Sequence, residues 1–116
     1  MTHGHEPDSI VEEVKAAAYQ RGFVFSPRSE RELYAIGASR LSEVSPVARE
    51  ILVNLFLDEI GHLHLSEQRD SGGRRILREE NVRRAAQKVG GKIKRGLVPP
   101  DVVAELRFIS GFCPYC

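Results

Sequence analysis

The sequence predicts an all-α protein, and three observations support that fold class. Apolar residues recur at the three- and four-residue spacing of a helix in several segments of the 116-residue chain. Capping residues or Ser-Pro pairs stand where those segments begin. Residues that favour strands occur only in stretches of a few positions. We therefore expect helices packed around one core.

The first helix is predicted over residues 8–22. Asp8 or Ser9 can cap its start. Gly22 is a plausible end, since glycine is common just after the last helical turn. The apolar positions between these limits share one face: Ile10, Val14, Ala17 and Ala18.

A β-prone stretch at residues 23–25 separates this helix from the second one. Ser26-Pro27 or Ser29 begins the second helix, because a capping hydroxyl before a proline suits the first helical turn. The helix is expected to continue through Leu41, with Gly37 as a weak point in its middle.

The third helix is predicted from Pro46 to about Glu67, after the cap Ser45. A helix that is apolar on nearly all sides must be covered from more than one direction. We therefore expect it to be both the central element of the fold and the crossing element of a homodimer through residues 46–67. Its apolar residues are Val47, Ile51, Leu52, Val53, Leu55, Phe56, Leu57, Ile60, Leu63 and Leu65.

The last third of the chain is predicted to hold a loop, an extended piece and two helices. The loop spans residues 69–73 and the extended piece residues 74–78. A helix follows over residues 79–89, because Gly90-Gly91 stands beyond its end and a basic linker comes next. The segment 97–116 holds the last helix and a Cys-Pro-Tyr-Cys tail. We treat residues 1–116 as a single domain with a core over 27–89.

Composition excludes several classes of protein. The chain is 41% hydrophobic and 28% charged, which is the balance of a globular domain rather than a disordered one. Its uncharged stretches are far shorter than the ~20 residues of a membrane span. Two cysteines are too few for a disulfide scaffold. We expect a cytoplasmic protein with no membrane segment.

The net charge of +1 conceals two oppositely charged halves. Residues 1–68 hold six Lys or Arg and eleven Asp or Glu, whereas residues 69–116 hold eleven and five. Such an asymmetry favours a partner for the basic half, or neutralisation of one half by the other.

Two segments resemble the minimal, archaeal type of histone fold. Residues 44–61 read V-S-P-V-A-R-E-I-L-V-N-L-F-L-D-E-I-G and are similar to the start of that family's central helix. Residues 73–85 read G-R-R-I-L-R-E-E-N-V-R-R-A and are similar to its second loop and last helix. Over residues 33–89 the resemblance implies a helix-loop-long helix-loop-helix core, here with extra N- and C-terminal helices.

The chain departs from the family at two positions. Asn81 stands where the family has an acidic residue that clamps the loop arginine, here Arg74. Ile76 stands where the family has a loop threonine, and an isoleucine cannot contact a phosphate. The resemblance therefore supports a handshake-like dimer more strongly than it supports DNA wrapping.

The segment 69–95 is the candidate surface for DNA or RNA. It holds ten Lys or Arg against three Asp or Glu, and guanidinium groups can bind phosphate oxygens without reading bases. One alternative is that these residues form a solvated basic face. Another is that they belong to a structural module that binds a protein partner and no nucleic acid. The predicted nucleic-acid-binding residues are Arg74, Arg75, Arg78, Arg83, Arg84, Lys92, Lys94 and Arg95.

A second hypothesis concerns the C-terminal Cys113 and Cys116. A C-x-x-C pair can close a disulfide, exchange thiols, or hold half of a zinc or iron-sulfur site. His62 and His64 are the candidate further metal ligands, although a continuous helix would point them apart. Apart from thiol-disulfide exchange, the motifs in this chain indicate no enzymatic activity.

Overall fold

The structure is a computed structural model, and it describes residues 7–106. Within that range the chain is mostly helical, which confirms the predicted mainly helical class. The elements are α1 (Pro7–Gln20), β1 (Phe23–Phe25), α2 (Pro27–Ala35), a 3₁₀ helix (Ala38–Glu43), α3 (Pro46–Gly61), β2 (Arg75–Leu77), α4 (Glu79–Lys94) and α5 (Pro100–Leu106).

The two strands pair in parallel and organise the chain as two helix-strand-helix units. β1 lies between α1 and α2, and β2 lies between α3 and α4. Phe23 pairs with Arg75, and Phe25 pairs with Leu77. Both strands lie where the sequence predicts extended backbone. The parallel pairing places the starts of α2 and α4 at one edge of the sheet.

The two units begin their second helices in a similar way. Ser29 and Asn81 each stand three positions after their helix's N-cap, and both are buried. The amide of Ser29 donates to Oγ of Ser26 at 3.1 Å, and the amide of Arg78 donates to Oδ1 of Asn81 at 2.8 Å. Asn81 therefore caps α4, and no hydrogen bond between Asn81 and Arg74 is found within residues 7–106.

The buried core forms one cluster that runs from α1 to α5. α3 contributes a row of buried apolar residues to that cluster and packs against α4. The other sides of α3 are half-buried in the same chain, which accounts for part of its apolar surface without a partner. The buried apolar residues of α3 are Ala48, Leu52, Phe56, Leu57 and Ile60.

α3 ends at Gly61, earlier than the predicted end near Glu67. Beyond that point the chain turns back toward β2, and the amide of Ile76 donates to the carbonyl of Gln68 at 3.0 Å. The chain just after the predicted helix end therefore bonds to β2.

The second predicted helix is divided into α2 and the 3₁₀ helix. Gly37 separates them with a φ of +89°, in the left-handed region that ends a helix. Gly37, predicted as a weak point within one helix, therefore separates two helices.

α4 continues through Gly90-Gly91 to Lys94, so the predicted stop at Val89 is wrong. Ile93 extends the buried face of α4 by one more turn and is only 6% exposed. Burial of this side chain compensates for the poor helix propensity of two glycines. The helix ends at Gly96, whose φ is +75°. The amides of Gly96 and Leu97 bond back to Ile93 and Lys92, which is the Schellman arrangement.

α5 is held against the start of α3 by one carboxylate. Glu105 accepts hydrogen bonds from the amide of Ser45 at 2.7 Å and from its hydroxyl at 3.0 Å. Val98 and Val102 join the core beside this contact. The remainder of the predicted C-terminal segment lies outside the described residues.

None of the helices between residues 7 and 106 combines the length and apolar character that a membrane span needs.

Gly91, inside α4, and Gly96, two positions beyond its last residue, should respond oppositely to alanine. At Gly91 an added β-carbon meets nothing within 4 Å, so Gly91→Ala should raise the free energy of unfolding by about 0.5–1 kcal/mol. At Gly96 the left-handed backbone strains any side chain, so Gly96→Ala should lower it by about 1 kcal/mol. Urea denaturation followed by circular dichroism measures both. Equal effects at the two positions would contradict the continuous helix with its glycine end.

Candidate nucleic-acid interface

The exposed face of α4 carries a cluster of basic residues. Its opposite face is buried in the core, so the charged residues are directed outward by the 3.6-residue period. Arg84 and Arg95 are eleven positions apart, which corresponds to about 16 Å along the helix axis. The basic residues of the exposed or half-exposed side are Arg83, Arg84, Lys88, Lys92, Lys94 and Arg95.

Two of these cations are neutralised within the chain. Arg83 lies 3.4 Å from Glu32 of α2 and 3.8 Å from Glu79 in its own helix. Lys92 lies 2.8 Å from a carboxylate oxygen of Glu59 in α3. Both cations therefore join α4 to its neighbouring helices.

The pair between Lys92 and Glu59 is the more buried one. The Glu59 side chain is 8% exposed and the Lys92 side chain 29%. A carboxylate removed from water to this extent needs its partner, because an unpaired buried charge is costly. Lys92 was predicted to bind nucleic acid, and in the structure it stabilises the contact between α3 and α4.

Four cations of α4 have no ion pair or hydrogen bond to another side chain within residues 7–106: Arg84, Lys88, Lys94 and Arg95. Lys94 and Arg95 also stand at the helix C-terminus, where positive charge is favoured by the helix dipole. These four side chains are free to meet an external anion.

A tight turn before β2 positions the arginines that the sequence places in a loop. Oδ1 of Asp70 accepts the amides of Gly72 at 3.0 Å and Arg74 at 2.8 Å. The amide of Asp70 in turn donates to the carbonyl of Arg74 at 2.8 Å. Because Asp70 bonds to its own turn, Arg74 leaves the turn in a defined direction.

Arg74 packs against α1 instead of projecting into solvent. Its guanidinium carbon lies 3.5 Å from the centre of the Tyr19 ring, and its Nε donates to the Tyr19 carbonyl at 3.2 Å. Such stacking is a cation-π contact at the C-terminus of a helix, where a cation is favoured. Sequence reasoning missed Tyr19, which lies 55 positions away from Arg74 along the chain.

Arg75 is the first residue of β2 and Arg78 follows its last, and neither has an ion pair in the described chain. Arg78 lines a groove of about 520 Å³ at the edge of the sheet where α2 and α4 begin. Arg28 also lines the groove, and the sequence had given no reason to single it out. Glu79 and Glu80 are part of the same lining and offset its positive charge. The groove is thus mixed in charge, unlike the exposed face of α4.

The two halves of the chain neutralise each other only in part. Of the eight ion pairs in the described residues, two join the acidic half to the basic half, those of Arg83 and Lys92. Most acidic residues in these pairs serve cations of their own half. Hydrogen bonds to Glu30 and then Glu12 raise the pKa of Lys15, and the hydrogen bond from Arg40 lowers the pKa of Glu43.

The metal and thiol candidates are not brought together in the described part of the chain. The sequence predicted both His62 and His64 inside the third helix. In the structure His62 is the C-cap of α3 and His64 lies beyond the helix. Within residues 7–106 no group of three metal-ligating side chains is found. Cys113 and Cys116 lie outside the described residues, and a zinc or iron-sulfur site there stays a prediction.

Comparison with protein-family models, with curated proteins and with solved structures gives no significant match to this chain.

Removing the Lys92 charge should destabilise the fold more than removing a neighbouring free charge. Lys92→Met leaves Glu59 buried without a cation, and we expect a loss of about 2 kcal/mol in the free energy of unfolding. Lys88→Met is the matched control in the same helix and should change it by less than about 0.5 kcal/mol. Urea denaturation measures both variants. Similar losses would show that helix composition, not the buried pair, decides the outcome.

Proposed function

We propose that this protein is a small helical binding module that contacts the phosphate backbone of nucleic acid through the exposed face of α4. The observation that carries the proposal is the set of four cations on α4 that have no partner in the described chain. Surface cations that serve the fold are paired here, as Arg83 and Lys92 are. Unpaired cations concentrated on one face favour an external polyanion.

The spacing of these cations suits a repeating row of phosphates. Arg84 and Lys88 are one helical turn apart, about 6 Å along the axis. Phosphate contacts of this kind release counterions and do not identify the sequence. Arg75 and Arg78 extend the same basic segment toward β2, whereas Arg74 is already stacked on Tyr19. The proposed interface therefore depends chiefly on α4.

The proposal predicts a salt-dependent affinity that single charge removals reduce. Arg84→Gln and Lys88→Gln should each weaken binding of labelled oligonucleotides by about fivefold and lower the slope of log affinity against log salt by about 0.7–0.9. Fluorescence anisotropy between about 50 and 200 mM salt measures both quantities.

Arg40→Gln is the matched control, since it changes the net charge equally and lies on the 3₁₀ helix, which packs on α1 and α2. It should leave affinity and slope unchanged. Absence of any binding at low salt would contradict the proposed function, and so would equal losses in all three variants.

The proposal extends to a histone-like arrangement of residues 33–89 and a homodimer through α3. Its support is the element order of α2, α3, β2 and α4, together with an apolar row that α3 leaves partly uncovered. Val47 is 68% exposed at the start of that row, and Ile51 and Leu55 follow at intervals of one turn. A second copy could bury this row.

A dimer through α3 should dissociate when a charge is placed in its apolar row. We expect the native chain to sediment as a dimer at micromolar concentration, and Val47→Glu to sediment as a monomer, because burying a carboxylate costs several kcal/mol. Leu97→Glu is the control, since Leu97 is also a large exposed apolar residue but lies outside α3. A monomeric native chain would contradict the dimer proposal and leave the nucleic-acid proposal standing.

A further inference from the structure

Tyr19 is an exposed aromatic ring that a second residue holds in place. The side chain is 47% exposed at the end of α1 and is one of the large hydrophobic residues left on the surface. Arg74 covers one part of the ring with its guanidinium carbon 3.5 Å from the ring centre. A hydrogen bond from Nε of Arg74 to the Tyr19 carbonyl is a second contact that holds Arg74 against Tyr19. The ring is thus both accessible and restrained.

The turn before β2 is shaped to allow this stack. A β-carbon built at Gly72 would lie only 3.1 Å from Nη1 of Arg74, so a larger residue would push against the guanidinium. Asp70 keeps Gly72 in that place through its hydrogen bond to the Gly72 amide. The restraint on Tyr19 therefore comes from one turn, residues 70–74, that is about 50 positions away along the chain.

The end of α1 also adjoins the basic side of α4. Arg21, just after α1, lines a shallow groove together with Phe23 and Lys92 of α4. Lys92 stands on the same side of α4 as Lys88, one turn earlier, and Arg95, one turn later. Lys92 is itself paired with Glu59, and Asp58, which is paired with Arg21, lies in the same groove. The groove thus joins the end of the helix that carries Tyr19 to the turn of α4 that lies between Lys88 and Arg95.

An accessible aromatic ring at the end of α1, together with the free cations of α4, matches the needs of one class of ligand. In a duplex the bases are stacked on each other and expose only their edges in the grooves, so an aromatic side chain has no base face to stack on. In a single strand the bases are free to stack on aromatic rings or guanidinium planes while cations follow the backbone.

We propose that the ligand of this surface is single-stranded nucleic acid, with Tyr19 as a platform on which one base stacks and Arg74 as the residue that positions the ring. This inference rests on the proposed function, because the α4 cations supply the backbone contacts. It goes further in selecting single strands over duplexes and in naming a residue outside the basic segment.

The test compares a single strand of about 12 nucleotides, of mixed sequence without self-complementarity, with the duplex of the same length. Fluorescence anisotropy at one fixed salt concentration should show tighter binding of the single strand. Tyr19→Leu keeps an apolar side chain but removes the ring, and should weaken single-strand binding about tenfold with no effect on the duplex. Tyr19→Phe should bind as the native chain does.

Tyr34→Leu is the matched control, since Tyr34 is 40% exposed on α2 and is not part of the proposed platform. Thermal unfolding of each variant shows whether the fold is intact. Should Tyr19→Leu unfold, Arg74→Gln replaces it as the test and should weaken single-strand binding more than duplex binding.

Two results would overturn the inference while leaving the proposed function in place. One is equal or tighter binding of the duplex; the other is an unchanged affinity in folded Tyr19→Leu while Arg84→Gln still weakens binding. Absence of binding to either oligonucleotide would overturn both proposals.

Discussion

The parallel pairing of β1 with β2 is the contact on which the rest of the structure depends. The sheet has only three residue pairs, yet they bring together segments more than 50 positions apart. The amide of Arg75 donates to the carbonyl of Gly22 at 2.9 Å, immediately before the paired region. Without this pairing the end of α1 would not meet the turn that precedes β2, and Arg74 would have no Tyr19 to stack on. The strands also carry Leu77 into the core, where it is fully buried.

The pairing also explains how a short chain builds its charge distribution. α4 packs against both α2 and α3. Arg83 on one side of α4 meets Glu32 of α2, and Lys92 on the other side meets Glu59 of α3. Each flank uses one cation to join a neighbouring helix. The cations between and beyond these contacts remain directed toward solvent because the buried face of α4 is already occupied by apolar residues. Part of the excess positive charge of the second half is thus collected on one face of α4.

Much of the fold could be predicted from local sequence. The starts of α2 and α3 follow Ser26 and Ser45, because a capping hydroxyl followed by proline specifies a helix start regardless of tertiary context. Both strands lie in the predicted extended stretches for a similarly local reason. Helix ends were less predictable. Gly90-Gly91 favours a stop by propensity, but burial of Ile93 outweighs it, and that burial exists only when α4 is packed.

The candidate interface divides along the same line. The sequence alone determines that residues 69–95 are basic and that the first half of the chain is acidic. It also determines that Arg84 and Lys88 point outward, because charge and helical period are properties of the chain itself. Tertiary structure decided which of those cations are available. Arg74, Arg83 and Lys92 each find a partner on a distant helix, and no local pattern encodes a contact between residues 30 to 55 positions apart. For the same reason Arg74 can stack on Tyr19 only once β1 and β2 have paired.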